Sequence, residues 1–261
     1  MAAKKSGRGV NRSRAQARAR RAGARKKRKR ARSVHGVRFP GETARYRGAR
    51  DRLLAAEREL RRHLEQVAAL RRKLPLAAPV AEDYAFESEG PDGSPRTVRL
   101  SELFAPGKDS LIAYSFMYGP NMERPCPSCT SILDSLDGAA RHVTQRANLV
   151  VVAKSPLARI RAFARERGWR NLRLVSSAAN NYNRDYRGED ANGAQWPALN
   201  VFVKRGGRVH HFYATELLFA PTERGQDPRH VDLIWPLWNL LDLTPEGRGT
   251  SWYPALDYAA P

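Results

Sequence analysis

Short apolar runs alternate with amphipathic stretches through the middle of the chain. Residues 111–116, 148–153 and 172–175 are runs of apolar and β-branched residues, which are typical of buried strands. Between them, apolar side chains recur at helical spacing over residues 132–143 and 157–164. A strand–helix–strand–helix–strand order at this spacing predicts a parallel sheet joined by right-handed crossovers.

Local signals set the expected limits of the shorter elements. Ser155 is a good N-cap residue, Pro156 suits a first helical turn, and Gly168 is expected to end that helix. Upstream, residues 97–100 alternate as a strand does, and Ser101 is expected to cap a short helix.

Further strands are expected on either side of this region. A short strand is expected at residues 84–86. Residues 196–203 and 209–213 flank a Gly-Gly turn, which predicts a β-hairpin. The polar residues 176–194 form a long loop that either frames a substrate pocket or is solvated. An apolar helix is expected around residues 231–241.

Near the start of the chain, residues 42–74 follow a helical pattern that Pro75 ends. Apolar side chains recur there every seven residues, at Leu53, Leu60, Val67 and Leu74. Two interpretations stay open. The favoured one is an amphipathic helix that packs on the following domain, and the other is a coiled-coil or dimer helix, for which the repeat is short.

The positive charge of the chain is concentrated at its start. The formal net charge is +21, and 16 of the 47 Lys and Arg residues fall within residues 1–38, which contain no Asp or Glu. Such a segment cannot bury enough apolar surface to offset its ordering entropy, so residues 1–36 are predicted to be a disordered basic tail. The cations of residues 1–34 either make a weak, salt-sensitive contact with nucleic acid or form a solvated extension.

Composition also limits the class of protein. The chain has 2 Cys among 261 residues, which excludes a disulfide scaffold. It has no apolar run long enough for a transmembrane helix and no apolar segment of the kind that follows the charged start of a signal peptide. The sequence therefore predicts a protein of the reducing cytoplasm with no membrane partner. There, a lone Cys-x-x-Cys pair is more often catalytic or metal-binding than structural.

Both cysteines, Cys126 and Cys129, lie between the expected strand at 111–116 and the helix after it. A helix N-terminus carries partial positive charge, which favours thiolate over thiol, and Arg124 adds a full charge nearby. Cys126 is expected at the surface and Cys129 one turn inside. This arrangement predicts a redox dithiol, in which the Cys126 thiolate attacks a substrate disulfide and Cys129 resolves the mixed disulfide.

Two other interpretations of the cysteines are disfavoured. Together with His142 they have the spacing that begins a zinc finger, but no second histidine follows within five residues and a structural zinc ion needs four ligands. His210 and His211 are neighbours on an expected strand and so point to opposite faces. Two inert buried thiols are disfavoured because a helix start leaves Cys126 accessible. No metal and no other cofactor are expected.

Two separate segments resemble the thioredoxin superfamily. The first is the strand, loop, Cys126-Pro-Ser-Cys129 and helix, and the second is Trp196-Pro-Ala-Leu-Asn-Val-Phe with the Gly-Gly turn after it. The resemblance implies that Pro197 is a cis-proline beside the dithiol. It also implies that the backbone of Trp196 pairs with the substrate chain.

A closer resemblance covers residues from about 37 to 252. It rests on four short phrases, Phe116-Met-Tyr-Gly-Pro, Pro-Cys-Pro-Ser-Cys, Val-Ala-Lys-Ser-Pro and Asp-Leu-Thr-Pro-Glu-Gly-Arg. These are similar to a bacterial family of thioredoxin-like proteins of unassigned function, which are described as predicted dithiol–disulfide oxidoreductases.

The chain departs from related families at two points. Thioredoxins carry a buried Asp in the strand before the dithiol, as a proton acceptor for the resolving thiol, whereas residues 111–116 contain no carboxylate. Glu123 and Asp134 are the nearest acidic residues. Peroxiredoxins carry Thr or Ser three residues before the reactive Cys, where this chain has Glu123, so peroxidase chemistry is disfavoured.

Together these patterns predict an α/β protein with a thioredoxin-like mixed sheet flanked by helices. The expected order is a basic tail at 1–36, a long amphipathic helix at 37–76, a thioredoxin-like domain at 77–252 and a C-terminal tail at 253–261. The expected activity is thiol–disulfide exchange with a disulfide- or thiol-containing protein or small molecule. The alternative is a non-enzymatic thioredoxin-like binding or redox-sensor protein whose basic arm contacts nucleic acid.

Overall fold

The computed structural model describes residues 35–226 and 234–258 of the chain. The predicted basic tail and its contact with nucleic acid fall on residues 1–34, outside these ranges, and stay predictions. The first residues of the helix expected at 231–241 also lie outside them.

The chain divides into two units, residues 1–72 and 73–261. The first unit contains the predicted long helix, α1 (Ala44–Arg72). At its start, Arg47 pairs with Glu42 at 2.9 Å and with Asp51 at 3.1 Å, so that one guanidinium joins the turn before the helix to its second turn. The packing of this helix on the second unit stays a prediction.

In the described part of the second unit, seven strands form one mixed sheet. In chain order they are β1 (Ala85–Glu89), β2 (Pro95–Arg99), β3 (Ser110–Phe116), β4 (Asn148–Ala153), β5 (Leu174–Ser176), β6 (Ala198–Arg205) and β7 (Arg208–Ala214). Their order across the sheet is β2-β1-β5-β4-β3-β6-β7. The pairs β4–β5 and β3–β4 are parallel, and the other pairs are antiparallel. The mixed sheet expected from the sequence is therefore confirmed.

The helices of this unit are mostly short. In chain order they are α2 (Pro127–Val143), α3 (Leu157–Arg167), α4 (Tyr182–Asp185) and α5 (Pro236–Leu241), with 3₁₀ turns at Leu100–Glu102 and Glu216–Leu218. Within the described part of the chain, each helix is too short or too polar to cross a membrane.

Side chains of the sheet alternate between two cores on opposite faces. On β3, Tyr114 and Phe116 enter the core that α2 and α3 cover, whereas Leu111 and Ala113 enter the other. The crossovers from β3 to β4 and from β4 to β5 advance in the same direction across the sheet, so both of their helices lie on one face. Short segments that include α4 cover the opposite face.

The hairpin expected at a Gly-Gly turn is confirmed. β6 and β7 are joined by Gly206 and Gly207, whose φ angles are 56° and 77°. Two consecutive positive φ angles fit the tight turn that matches the twist of a hairpin, and glycine adopts them without steric cost.

Two serines that were expected to cap helices have other partners. The Ser155 hydroxyl is completely buried and donates to the carbonyl of Gly119, 3.0 Å away, so α3 begins at Leu157 without it. Ser101 binds the carboxylate of Asp83 through its backbone N–H and its hydroxyl, at 2.8 and 2.7 Å. In both cases the serine hydroxyl that would cap a helix instead donates to a group distant in sequence.

The strand expected at residues 172–175 begins two residues later. The Asp137 carboxylate on α2 accepts from the backbone N–H groups of Arg170, Asn171 and Leu172, at 3.0, 2.8 and 3.1 Å. Because these N–H groups donate to the carboxylate, they do not pair with β4. Pairing with β4 starts at the carbonyl of Arg173, which accepts from the Val151 N–H.

The long polar loop at 176–194 is not simply solvated. It contains α4, in which Tyr182 and Asn183 are fully buried. The Tyr182 ring packs edge-on against Phe86, with centroids 5.2 Å apart, and Asn183 accepts a hydrogen bond of 2.7 Å from the Ser177 hydroxyl. The loop is thus part of the second core.

The C-terminal segment closes over α2. The indole N–H of Trp235 donates to the Ser131 hydroxyl on α2 at 3.2 Å, and the Trp238 ring contacts those of Trp252 and Tyr253. Arg167 donates to the carbonyl of Leu256 at 2.7 Å. Tyr253 and Leu256 of the predicted tail therefore contact the domain.

Substitution of Leu133 tests the packing of α2 on the sheet. Leu133 is fully buried between the helix and the sheet. We expect Leu133→Ala to lower the free energy of unfolding by about 2–5 kcal/mol, because it removes buried methyl groups and leaves a cavity. Urea unfolding followed by circular dichroism measures the change.

Leu243→Ala is the control for this substitution. Leu243 is 79% exposed, so the same truncation should change stability by less than about 0.5 kcal/mol. Equal losses from the two variants would contradict the described position of α2.

Candidate functional site

The two cysteines lie where the central strand of the sheet passes into α2. β3 is paired on both sides, with β4 and with β6, so its end is held firmly. Cys126 immediately precedes the first residue of α2 and is half-buried, whereas Cys129 is 2% exposed. One thiol is therefore accessible and the other is covered, as the sequence predicts.

The segment between β3 and the cysteines is fastened from the start of α3. Ser155 makes two hydrogen bonds to this segment. Its hydroxyl donates to the carbonyl of Gly119 at 3.0 Å, and its backbone N–H donates to the carbonyl of Tyr118 at 2.9 Å. Gly119 also packs closely on Gln195, since a Cβ at position 119 would lie 2.8 Å from Cγ of that glutamine. The glycine of the Phe-Met-Tyr-Gly-Pro phrase is thus required by close approach.

Arg159 on α3 holds the rest of this segment. Its guanidinium donates to the carbonyls of Pro120, Met122 and Glu123, at 3.0, 2.5 and 3.3 Å. The same group lies over the Tyr118 ring, 4.8 Å from its centroid. One side chain therefore fixes three carbonyls of a segment that has no regular secondary structure of its own.

The backbone of Met117 contacts both cysteines. Its carbonyl accepts the Cys126 N–H at 3.1 Å, and its N–H faces the Cys129 sulfur. Met117 directly follows β3, so both cysteines are positioned relative to the central strand by a single residue.

The contacts of Cys126 favour its thiolate. The largest is with the Cys129 thiol, which donates toward the Cys126 sulfur. The N–H groups of Cys129 and Ser128 at the start of α2, and the Ser128 hydroxyl, act in the same direction. Together they outweigh the effect of burial and lower the pKa of Cys126 to about 6.

The environment of Cys129 has the opposite effect. The hydrogen bond to the Cys126 sulfur, burial and the negative charge of the Cys126 thiolate raise the pKa of Cys129 well above its ordinary value. The Tyr114 hydroxyl and the Met117 N–H, which both face the Cys129 sulfur, lower it in part. At neutral pH, Cys126 is therefore the thiolate and Cys129 holds the proton.

Arg124 was expected to lower the pKa of Cys126. Its guanidinium binds Glu166 at 2.9 Å and Asp257 at 3.5 Å, and its side chain is about half exposed. The contacts that lower the pKa of Cys126 come instead from Cys129 and Ser128. An electrostatic contribution from Arg124 stays a prediction.

Trp196 and Pro197 precede β6 at the same end of the sheet as the dithiol. Ala198 pairs with Ser115 on β3, so these two residues flank the end of the strand that leads to the cysteines. The Trp196 ring is 44% exposed and packs against Phe219, with centroids 6.1 Å apart. The expectation of a cis-proline is wrong, because the described residues contain no cis peptide bond. Substrate binding by Trp196 and Pro197 stays a prediction.

The zinc interpretation does not agree with the fold. His142 lies at the last turn of α2, about 24 Å along the helix from Cys126. His210 and His211 lie on β7, where their rings bind the carbonyl of Ala77 and the side chain of Asn200. Among the described residues, no group of three or more His, Cys, Asp or Glu side chains could hold a metal ion.

Sequence reasoning missed Tyr114, Met117 and Arg159. In the sequence Tyr114 is one member of an apolar run, although its spacing from Phe116 places it on the side of β3 that faces α2. Met117 acts through its backbone, which no residue type reveals. Arg159 was one of many arginines, and only the fold brings it to the segment before the dithiol.

The fold and the site together define a thioredoxin-like α/β protein. A dithiol begins the helix that follows a central strand, and an antiparallel hairpin extends the sheet beside that strand. The chain belongs to the family described as "Bacterial protein of unknown function (DUF899)", whose model matches residues 37–258. A comparison with curated proteins found no match.

Solved structures that align with the chain are distant from it. Thioredoxin peroxidase I of Plasmodium yoelii is 18% identical, with a TM-score of 0.41 over 71% of this chain and 100% of that one. Peroxidoxin BcpB from Mycobacterium tuberculosis is 23% identical, with a TM-score of 0.36 over 52% and 82%. The pneumococcal exposed lipoprotein thioredoxin from Streptococcus pneumoniae is 16% identical, with a TM-score of 0.34 over 56% and 93%.

The pH dependence of Cys126 alkylation tests its electrostatic environment. Because only the thiolate reacts, the alkylation rate by iodoacetamide should be half-maximal near pH 6, against about 8.5 for an unperturbed cysteine. Cys129→Ala should move the midpoint upward, since it removes the largest contact that stabilises the thiolate. Cys129→Ser retains a hydroxyl donor and should move it less. A wild-type midpoint near 8.5 would contradict the described contacts.

Arg159→Gln tests how the segment before the dithiol is held. The substitution removes the charged donors to three carbonyls, so we expect residues 117–125 to exchange their amide hydrogens faster and the protein to lose about 1–3 kcal/mol of stability. Hydrogen-exchange mass spectrometry measures the first effect. Arg165→Gln, on an exposed position of the same helix, is the control and should leave residues 117–125 unchanged.

Proposed function

We propose that the protein is a thiol–disulfide oxidoreductase that uses Cys126 and Cys129. The observation that carries the proposal is one accessible and one buried thiol in contact at a helix N-terminus, with the charge placed on the accessible sulfur. A pair of structural thiols has no need for this asymmetry, whereas disulfide exchange requires a ready nucleophile and a second thiol held in reserve.

The first step is attack on a substrate disulfide. The Cys126 thiolate forms a bond to one sulfur of the substrate while the substrate S–S bond breaks, and the other substrate sulfur leaves as a thiolate that takes a proton from water. The result is a mixed disulfide between Cys126 and the substrate. A thiolate with a pKa of about 6 is present in most molecules at neutral pH, so this step needs no separate base.

The second step releases the product. Cys129 loses its proton and attacks the Cys126 sulfur, so that a Cys126–Cys129 bond forms and the bond to the substrate breaks. The second substrate sulfur leaves as a thiolate. Two electrons have then passed from the protein dithiol to the substrate disulfide, and the same steps in reverse oxidise a substrate dithiol.

Two partly exposed rings at the same end of the sheet as the dithiol suggest a substrate with an apolar part. Trp196 and Phe219 are 44% and 42% exposed and contact each other at the start of β6, beside the strand that leads to the dithiol. We propose that these rings and Pro197 form the side of the site on which a disulfide-containing protein or small molecule lies. Exposed aromatic rings supply apolar area at a low cost in conformational entropy.

A trapping experiment tests the proposed roles of the two cysteines. With excess oxidised glutathione, Cys129→Ser should accumulate a mixed disulfide of one glutathione per chain, because no second thiol resolves it. The wild type should instead end with an internal disulfide, and Cys126→Ser should remain largely unmodified, since Cys129 is buried and protonated. Intact-protein mass spectrometry distinguishes the three products. Equal modification of the two serine variants would refute the assignment.

A further inference from the structure

One polar group in the core beneath α2 is not used by the two exchange steps. Tyr114 lies on β3 and is 1% exposed, and its hydroxyl oxygen has no exposed surface. The neighbouring residues on the same side of this strand, Ile112 and Phe116, are apolar. Burial of a hydroxyl in such a core is costly unless a polar group faces it, so its place calls for a partner.

The group that the Tyr114 hydroxyl faces is the sulfur of Cys129. α2 begins above the end of β3, and both Tyr114 and Cys129 belong to the core between them. The Tyr114 hydroxyl faces the Cys129 sulfur from the strand, and the Met117 N–H faces it from the end of the same strand. Both groups donate hydrogen bonds, and a thiolate is a better hydrogen-bond acceptor than a thiol.

The two carboxylates nearest to the dithiol in sequence are placed elsewhere. Asp134 accepts from Arg167 at 2.6 Å and from the indole N–H of Trp169 at 2.8 Å, and Glu123 is exposed. β3 itself has no acidic residue. The polar side chain that this strand presents to Cys129 is thus a tyrosine, a donor that is neutral at physiological pH.

We propose that Tyr114 is a further catalytic residue, whose hydroxyl donates a hydrogen bond to the Cys129 sulfur and stabilises its thiolate as it resolves the mixed disulfide. This inference rests on the proposed exchange function. The Cys129 proton passes to water, the Cys126–Cys129 bond forms, and the substrate sulfur leaves as a thiolate that takes a proton from water. Tyr114 keeps its own proton throughout, because it acts as a donor and not as a base.

A single-turnover reaction with 5,5′-dithiobis(2-nitrobenzoate) separates the two steps. The attack of Cys126 releases the first thionitrobenzoate and its resolution by Cys129 releases the second. We expect Tyr114→Phe to leave the first release within about twofold of the wild type. The second release should slow by about tenfold, and its pH midpoint should rise by about one unit, as the loss of a hydrogen bond to a charged group implies.

Tyr182→Phe is the matched control. Tyr182 is equally buried but lies in the core on the opposite face of the sheet. Its loss of a hydroxyl should change neither release nor either midpoint. A second release by Tyr114→Phe with the wild-type rate and pH midpoint would overturn the role of Tyr114.

If Tyr114→Phe does not fold, labelling with a fluorinated tyrosine gives a second test that leaves the core packing intact. Growth on 3-fluorotyrosine makes every phenol more acidic and therefore a stronger donor, so the labelled wild type should give a faster second release with a lower pH midpoint. An unchanged second release would overturn the proposal. Failure of the exchange function itself has a different signature, namely a first release by the wild type that is no faster than that by Cys126→Ser.

Discussion

The contact between two sulfur atoms at the end of the central strand is the interaction on which the site depends. It places negative charge on Cys126 and the proton on Cys129, so the two thiols differ in protonation at neutral pH. The Met117 backbone holds both residues against β3, and β3 is itself held by strands on both sides. The chemistry of the pair is therefore a property of the sheet as much as of the motif.

Most of the framework could be predicted from the sequence because its signals are local. The apolar run at 148–153 has the same first and last residues as strand β4, and the Gly-Gly turn joins β6 to β7. The thiols at the start of α2 also followed from local pattern. In each case the residues that carry the signal are the ones that form the element, so a neighbour distant in sequence was not needed.

The remaining features depended on partners that are distant in the chain. Ser155 is a good cap by type, but the fold brings the Gly119 carbonyl to its hydroxyl. Leu172 belongs to an apolar run, but the Asp137 carboxylate takes its N–H. Tyr114 and Arg159 became site residues only when the dithiol segment was placed over the sheet. For Ser155 and Leu172, a long-range hydrogen bond replaced the arrangement that local preference favours.

The stabilised thiolate also affects the redox balance of the pair. The donors around Cys126 interact with its negative charge, and formation of the internal disulfide removes that charge. The oxidised protein therefore lacks a stabilising interaction that the reduced protein has. This difference shifts the equilibrium toward the dithiol. The Cys126–Cys129 pair should have a higher reduction potential than two unperturbed thiols at the same separation, and should give up its disulfide to a partner thiol more readily.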